Sequence, residues 1–205
     1  MIKMSIRTNF PDVAKQLKTL PEQVANKAMA RALNTTTQQG VPEMARAISA
    51  EFRVTSAQAR KRLGVERAVS RKGALQLTAS LYAKREGGLH SNDARGMNLI
   101  NFVVGGKPTR TKKGGLRQLT FQIRRGGGRK VIPGAFIATS KATGGTAVFV
   151  RDGDRRMPIS TITTLDIAQM FNTKRINQVV RKVMVARFPA NFKRELRAVL
   201  KGYAK

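Results

Sequence analysis

Three short apolar runs near the middle of the chain constrain its fold most strongly. They cover residues 130–138, 146–151 and 155–159. Each run is rich in β-branched and aromatic side chains and is bounded by Gly or Asp, which is typical of strands in one buried sheet. Proline cannot donate to a sheet ladder and glycine weakens a strand interior. Pro133 and Gly134 therefore predict a bulge, an edge or a close backbone approach within the first run.

A long helical segment precedes this region. Apolar residues recur every three or four positions over residues 13–32, and Met44, Ile48 and Phe52 continue the stripe. Because proline interrupts a helix, we expect a break or kink at Pro21 and an end or bend over residues 40–42.

A second long helical segment follows the apolar runs. A short helix is predicted over residues 165–171, and a longer one begins near Thr173. The longer helix carries an apolar stripe from Ile176 to Leu200, across an expected kink at Pro189. Its other faces are basic. We expect it to cover the sheet and to expose those basic faces to solvent.

Further strands are predicted from alternating apolar and polar residues at 75–83 and 119–123, and residues 99–104 form another candidate strand. Two basic, glycine-rich loops, 105–115 and 124–130, flank the 119–123 strand and are expected to form one cationic edge. The first loop is unlike a phosphate-binding loop, because that motif needs Gly-Lys-Ser/Thr opening a helix and Lys107 here precedes a proline.

A short helix is predicted to begin at a capping box formed by Thr55 and Gln58. It carries Arg60, Lys61 and Arg62, but a strand follows it where a helix-turn-helix motif would place a second helix. An ordinary surface helix is therefore favoured over DNA readout by this segment.

Together these patterns predict an α+β fold. The predicted architecture is a mostly antiparallel sheet of about four to six strands, packed by a long N-terminal helical segment and a long kinked C-terminal helix. We expect a single domain over residues 1–205, with an N-terminal strand and helices (1–64), a sheet with basic loops (65–164) and C-terminal helices (165–205). The chain has no Cys, which excludes disulfides and zinc–thiolate sites. Since it also lacks a long apolar run and a signal-like N-terminus, we expect a soluble cytoplasmic product.

The net charge is the strongest functional signal. Forty Lys and Arg face eleven Asp and Glu, which gives +29 at pH 7. Residues 101–130 hold nine basic and no acidic side chains, and residues 166–205 hold ten basic and two acidic ones. Such an excess favours a polyanionic neighbour. Ribosome-like binding, a DNA-lined conduit and an anionic protein partner all fit it, whereas the few aromatic residues argue against base stacking. The candidate contact residues are Lys107, Arg110, Lys112, Lys113, Arg124, Arg125, Arg129 and Lys130.

No group of residues in the sequence has the pattern of a catalytic or metal site. His90 is the only histidine, and Asp152 and Asp154 flank a glycine as in a hairpin turn rather than a calcium loop. The other carboxylates are scattered without an acid/base pair. We therefore predict a protein that is not an enzyme and that needs no cofactor or metal. A metal-dependent nuclease is the least favoured alternative.

The central region carries an Ile-Pro-Gly-Ala-Phe-Ile run, Ile132 to Ile137, followed by the pair Pro158 and Ile159. In these motifs it resembles the minor tail protein Z family of lambda-like tailed bacteriophages. An Ile-Pro-Gly-Ala-Phe-Ile run and a downstream Pro-Ile pair carry the resemblance, which is specific over residues 130–200 and general over the N-terminal helices. The matching residues are Ile132, Pro133, Gly134, Ala135, Phe136, Ile137, Pro158 and Ile159.

The resemblance implies a structural virion protein that completes the tail. Such a protein is added at the head-proximal end of a long non-contractile tail, after assembly in the host cytoplasm, and makes the tail competent to join the DNA-filled head. The implied partners are the tail terminator, tail tube and head–tail connector proteins and double-stranded DNA held without sequence readout, and no membrane. Since tails have rotational symmetry, we expect a homo-oligomeric ring, with six copies as the favoured number. A ribosome-like or general nucleic-acid-binding protein is the alternative.

Overall fold

The computed structural model describes residues 2–4, 21–71, 74–84, 96–105, 118–139, 144–153, 155 and 157–203. In these residues it contains four α-helices and eleven short strands. The helices are α1 (Glu22–Glu51), α2 (Ser56–Arg62), α3 (Ile167–Phe171) and α4 (Lys174–Tyr203). The strands are β1 (Ile2–Met4), β2 (Leu63–Glu66), β3 (Val69–Arg71), β4 (Ala74–Gln76), β5 (Ser80–Ala83), β6 (Val103–Gly105), β7 (Thr120–Phe121), β8 (Lys130–Val131), β9 (Phe136–Thr139), β10 (Thr146–Arg151) and β11 (Ile159–Thr161). The predicted α+β class is confirmed.

Helices α1 and α4 pack side by side in antiparallel orientation. Each has 30 residues, which corresponds to about 45 Å at about 1.5 Å per residue. Arg31, early in α1, pairs with Glu195, late in α4. Glu43, further along α1, pairs with Arg187, which lies earlier in α4. Between the N-terminal half of α1 and the C-terminal half of α4 lies an apolar cluster made of Val24, Ala28, Ala32, Phe188, Phe192 and Val199.

Helix α1 runs without interruption through Gly40 and Pro42, so the expected end there is wrong. A methyl group on Gly40 would lie 2.7 Å from Sδ of Met184 in α4. The glycine therefore allows α4 to come close, and this packing outweighs the helix-breaking tendency of both residues. Pro189 likewise lies inside α4. The break expected at Pro21 coincides with the residue before α1, whereas the helical pattern expected over residues 13–20 lies outside the described residues.

Two hydrogen bonds from one buried asparagine set the register of the two helices. The side chain of Asn191 is only 6% exposed. Its Nδ2 donates to Oγ1 of Thr36 at 2.9 Å and to Oε1 of Gln39 at 3.0 Å. Sliding α4 along α1 would leave this amide buried without a partner, at a cost of about 1–3 kcal/mol.

The strands form four small antiparallel sheets rather than one larger sheet. Their orders are β1-β5-β2, β3-β4, β6-β7-β8 and β11-β10-β9. Run 130–138 therefore contributes to two sheets, and the chain passes between them at Pro133 and Gly134. There the Ala135 N–H donates to the Ile132 carbonyl at 3.3 Å, and Gly134 has φ +72°. A proline at the second position of a four-residue turn and a glycine with positive φ at the third are typical of a type II turn.

The larger core lies where the C-terminal half of α1 meets α2, α3, the start of α4 and the sheets. Its fully buried large side chains include Met44, Ile48, Phe52, Leu81, Phe102, Leu119, Met170, Phe171 and Val180. The sheet β9-β10-β11 contributes little to it, since only Val148 and Phe149 of these strands are buried. The expectation of a buried central sheet is therefore corrected.

Local predictions around this core are mixed. The capping box of Thr55 and Gln58 is confirmed. The candidate strand 99–104 instead begins as a 3-10 helix, Leu99–Phe102, before β6. The short helix expected over residues 165–171 is confirmed as α3, which begins after an N-cap at Asp166.

The packing of α4 on α1 predicts a contrast between two residues of the same apolar stripe. Phe192 is 1% exposed and stacks near Phe188, whereas Leu200 is 41% exposed. Phe192→Ala should lower the free energy of unfolding by about 3–5 kcal/mol, and Leu200→Ala by less than about 0.5 kcal/mol. Urea unfolding followed by circular dichroism measures both. Equal losses in the two variants would contradict this helix pairing.

Candidate nucleic-acid interface

The eight predicted contact residues are divided between two loops. Lys107, Arg110, Lys112 and Lys113 lie outside the described residues, so their prediction is not tested. Arg124, Arg125 and Arg129 lie between β7 and β8, and Lys130 is the first residue of β8; all four are exposed. We call residues 124–130 the basic turn.

Two arginines of the basic turn complete the C-terminal end of α1. Nε of Arg125 donates to the Ser49 carbonyl at 2.8 Å, and its backbone N–H donates to the Glu51 carbonyl at 2.9 Å. Nε of Arg124 lies 3.8 Å from the Glu51 carboxylate, and its guanidinium lies 5.5 Å from the centre of the Phe52 ring. The last carbonyls of a helix lack intrahelical partners and attract cations. Since α1 has no basic residue in its last turn, the basic turn supplies this charge.

The basic turn is also held from within. Nε2 of Gln122 donates to the carbonyls of Arg125, at 3.1 Å, and Gly127, at 2.8 Å. Nη1 of Arg53 donates to Oε1 of the same glutamine at 2.8 Å. Arg53 therefore links the turn to the segment that follows α1. These contacts give the turn a defined shape.

Arg129 and Lys130 are left available by this arrangement. Both are exposed, and their side chains make no hydrogen bond or ion pair with the part of the chain that the structure describes. The basic turn therefore offers two unpaired cations on a fixed support, while Arg124 and Arg125 have structural partners.

The motif residues are brought together around β10. Residues 132–135 form the turn between sheets, and Phe136 and Ile137 of β9 pair with Phe149 and Val148 of β10. On the other edge of β10, Arg151 pairs with Ile159, which follows a cis Met157–Pro158 bond. The guanidinium of Arg151 lies 5.1 Å from the centre of the Phe136 ring. The motif thus builds a three-stranded sheet.

A second cationic surface lies on α4, which carries nine Lys and Arg and one Glu. Near its C-terminal end, a shallow groove of about 490 Å³ is lined by Ala190, Lys193, Arg194, Arg197, Ala198 and Lys201. All six residues are exposed. The predicted contact set omits them, although the charge excess over residues 166–205 was a signal for them.

The carboxylates of the described residues mainly stabilise the fold. Glu43 pairs with Arg187 and Glu195 pairs with Arg31. Oδ1 of Asp166 accepts the Gln169 N–H at 2.8 Å as an N-cap. Within the described ranges, no three His, Asp or Glu residues come close enough together to hold a metal ion. His90 and Asp154 lie outside those ranges.

No helix in the described part of the chain combines the length and apolar character needed to cross a bilayer.

Comparison with known proteins gives one match. The sequence model of the family described as prophage minor tail protein Z (GPZ) matches residues 11–205. No curated protein and no solved structure matches the chain. The matched range contains all four helices, ten of the eleven described strands and every residue of the motif.

The two kinds of arginine in the basic turn predict different effects on stability. Arg125→Gln removes the bond to the Ser49 carbonyl and should lower the free energy of unfolding by about 1 kcal/mol. Arg129→Gln also removes one positive charge, but from a side chain without a described partner. It should change the free energy of unfolding by less than about 0.5 kcal/mol. Chemical unfolding of the two variants beside the unmodified protein makes the comparison. A loss in Arg129→Gln as large as that in Arg125→Gln would refute the helix-end role of Arg125.

Proposed function

The chain belongs to the prophage minor tail protein Z family, and from this premise we propose that it completes the phage tail at its head-proximal end. In this role it is a structural component of the virion. It makes the finished tail competent to join the DNA-filled head, and it holds the DNA end without reading its sequence.

The observation that carries the proposal is the family match over residues 11–205, nearly the whole chain. The family is one of minor tail proteins, so a structural role in the tail follows directly. The head-proximal position is the part that we add. It is supported by the net charge of +29, because the joint between tail and head is where packaged DNA meets tail protein.

Charge supports the DNA part of the proposal. Duplex DNA carries one negative charge per about 1.7 Å of its axis, and basic side chains beside it release bound counterions. Exposed cations without described partners, such as Arg129 and Lys130, are suited to phosphate contacts. Phosphate contacts position a duplex but carry no sequence information. The protein would therefore accept any genome end.

The partners that we propose are the neighbours of such a joint. They are the tail terminator, tail tube and head–tail connector proteins, together with further copies of this chain. A closed ring, with six copies as the favoured number, would match the rotational symmetry of a tail. The DNA in its centre would offset the repulsion between strongly basic subunits.

The charge also favours a second candidate, a general nucleic-acid-binding or ribosome-like protein. Such a protein would bind structured RNA tightly and would show no affinity for isolated tails.

Incubation of duplex DNA with the purified protein and Mg²⁺ or Mn²⁺ tests the remaining alternative, a metal-dependent nuclease, which would cut the duplex.

The proposed function predicts a specific assembly defect. When the phage is grown without this chain, filled heads and tails should form, but infectious joined particles should fall to background, because the tail end lacks the surface that the head engages. Electron microscopy and plaque titration of the lysate measure both outcomes. Supplying the unmodified chain or the Leu200→Ala variant in trans should restore infectivity.

Two results would contradict the proposal. One is a normal yield of infectious joined particles without the protein. The other is antibody labelling of the protein at the tail tip that lies farthest from the head.

A further inference from the structure

We propose that the outward face of α4 is the surface that binds the phosphate backbone of duplex DNA. This inference rests on the proposed function and names the residues that would make the DNA contact. We call this surface the α4 cationic face. It consists of Lys193, Arg194, Arg197 and Lys201.

The helix geometry places these four cations on one side of α4. They recur at spacings of one, three and four residues, so they share a face. The opposite face carries Phe188, Phe192 and Val199, which are buried against α1. The cations are therefore held on a rigid, packed helix and directed away from the core.

Three of the four cations have no partner within the described residues. Lys193, Arg197 and Lys201 are exposed and make no described hydrogen bond or ion pair. Arg194 is the exception, since its Nη2 lies 3.3 Å from Glu195. Glu195 is 9% exposed and also accepts the bond from Arg31 of α1. The one carboxylate of α4 is thus turned inward.

Other arginines contrast with this face. Arg124, Arg125 and Arg187 contact α1 through Glu51, the Ser49 carbonyl and Glu43, respectively. Carboxylates partly offset the charges of Arg124 and Arg187, and the Arg125 guanidinium is held at the negative end of the α1 dipole. The α4 cationic face retains most of its charge for an external anion.

The shape of the surface fits a backbone of phosphates. Ala190 and Ala198 line the groove of about 490 Å³ together with the cations. Their short side chains let a ridge of phosphates approach the helix. Successive cations four residues apart are separated by about 6 Å along the helix axis. Since duplex DNA carries a charge per about 1.7 Å, each cation finds a phosphate whatever the base sequence.

An acidic protein is the competing partner for a cationic surface. The centre of a protein interface is usually depleted of Lys and Glu, and its energetic anchors are most often Trp, Tyr or Arg. The groove is lined by two Lys, two Arg and two Ala, and so offers no aromatic anchor. Duplex DNA therefore fits this face better than a protein partner does.

The test is the salt dependence of duplex binding by the full chain. The triple variant Lys193→Gln, Arg197→Gln and Lys201→Gln is compared with the unmodified protein by fluorescence anisotropy, using a short mixed-sequence duplex over a series of NaCl concentrations. Removing three phosphate contacts should reduce the magnitude of the slope of log K against log salt by about 2.7, or about 0.9 per contact. Circular dichroism checks that the variant is folded.

A matched control keeps the test specific. The variant Arg60→Gln, Lys61→Gln and Arg67→Gln also removes three exposed cations, two on α2 and one just after β2. It lowers the net charge by the same amount but lies outside the α4 cationic face. We expect the slope of log K against log salt for this control to change by less than about 0.9, the value for one phosphate contact.

The outcomes separate this inference from the proposed function. A steep slope in the unmodified protein that persists in the α4 variant, or that falls equally in both variants, overturns the inference and leaves the tail role intact. An α4 variant that loses head–tail joining but keeps its salt slope assigns the face to a protein partner and also overturns the inference. If the unmodified protein binds no duplex at low salt, the DNA part of the proposed function fails as well.

Discussion

The close antiparallel packing of α1 on α4 is the interaction on which the rest of the structure depends. Gly40 favours it, because the Met184 side chain lies in the space that a side chain at position 40 would enter and would have to move. The packing also requires Asn191 to find Thr36 and Gln39, which fixes one register out of several that the apolar stripes alone would permit. The four sheets have only two or three strands each. Sheets of this size cannot bury a core by themselves, so they depend on the helix pair for a surface to pack against.

The same packing sorts the charges of the molecule. Helix α1 holds three basic and three acidic residues, whereas α4 holds nine basic and one acidic. The carboxylates at the helix interface, Glu43 and Glu195, each meet an arginine of the other helix. Because the arginine of each pair is about half exposed, at 50% and 44%, these pairs add little stability individually. Their main effect is on the position of the charges. They hold the carboxylates next to the contact between the helices, and the outer surface of α4 is left strongly positive.

Much of the fold was predictable where the determinants are local. Helix stripes, the capping box of Thr55 and Gln58 and the strands that became β9 and β10 all follow from residue spacing and side-chain type. Where contacts are distant in sequence, prediction failed. Gly40 and Pro42 were expected to end or bend a helix. It does not end there, and the contact with Met184 that accompanies Gly40 lies far along the chain. The bond from Arg125 to the Ser49 carbonyl, 76 residues away, is a second contact that residue spacing could not predict.

The sequence by itself determined the α+β class, the great excess of positive charge and the kinship with a family of phage tail proteins, because composition, periodicity and motif residues are all local properties of the chain. Only the tertiary structure decided which cations of the described ranges have partners. Arg124 and Arg125 are adjacent in sequence to the same glycines as Arg129, but two of these three arginines meet the end of α1 and one does not. Whether an arginine meets the helix end depends on where the C-terminus of α1 lies in the folded protein. Residue spacing along the chain does not predict that position.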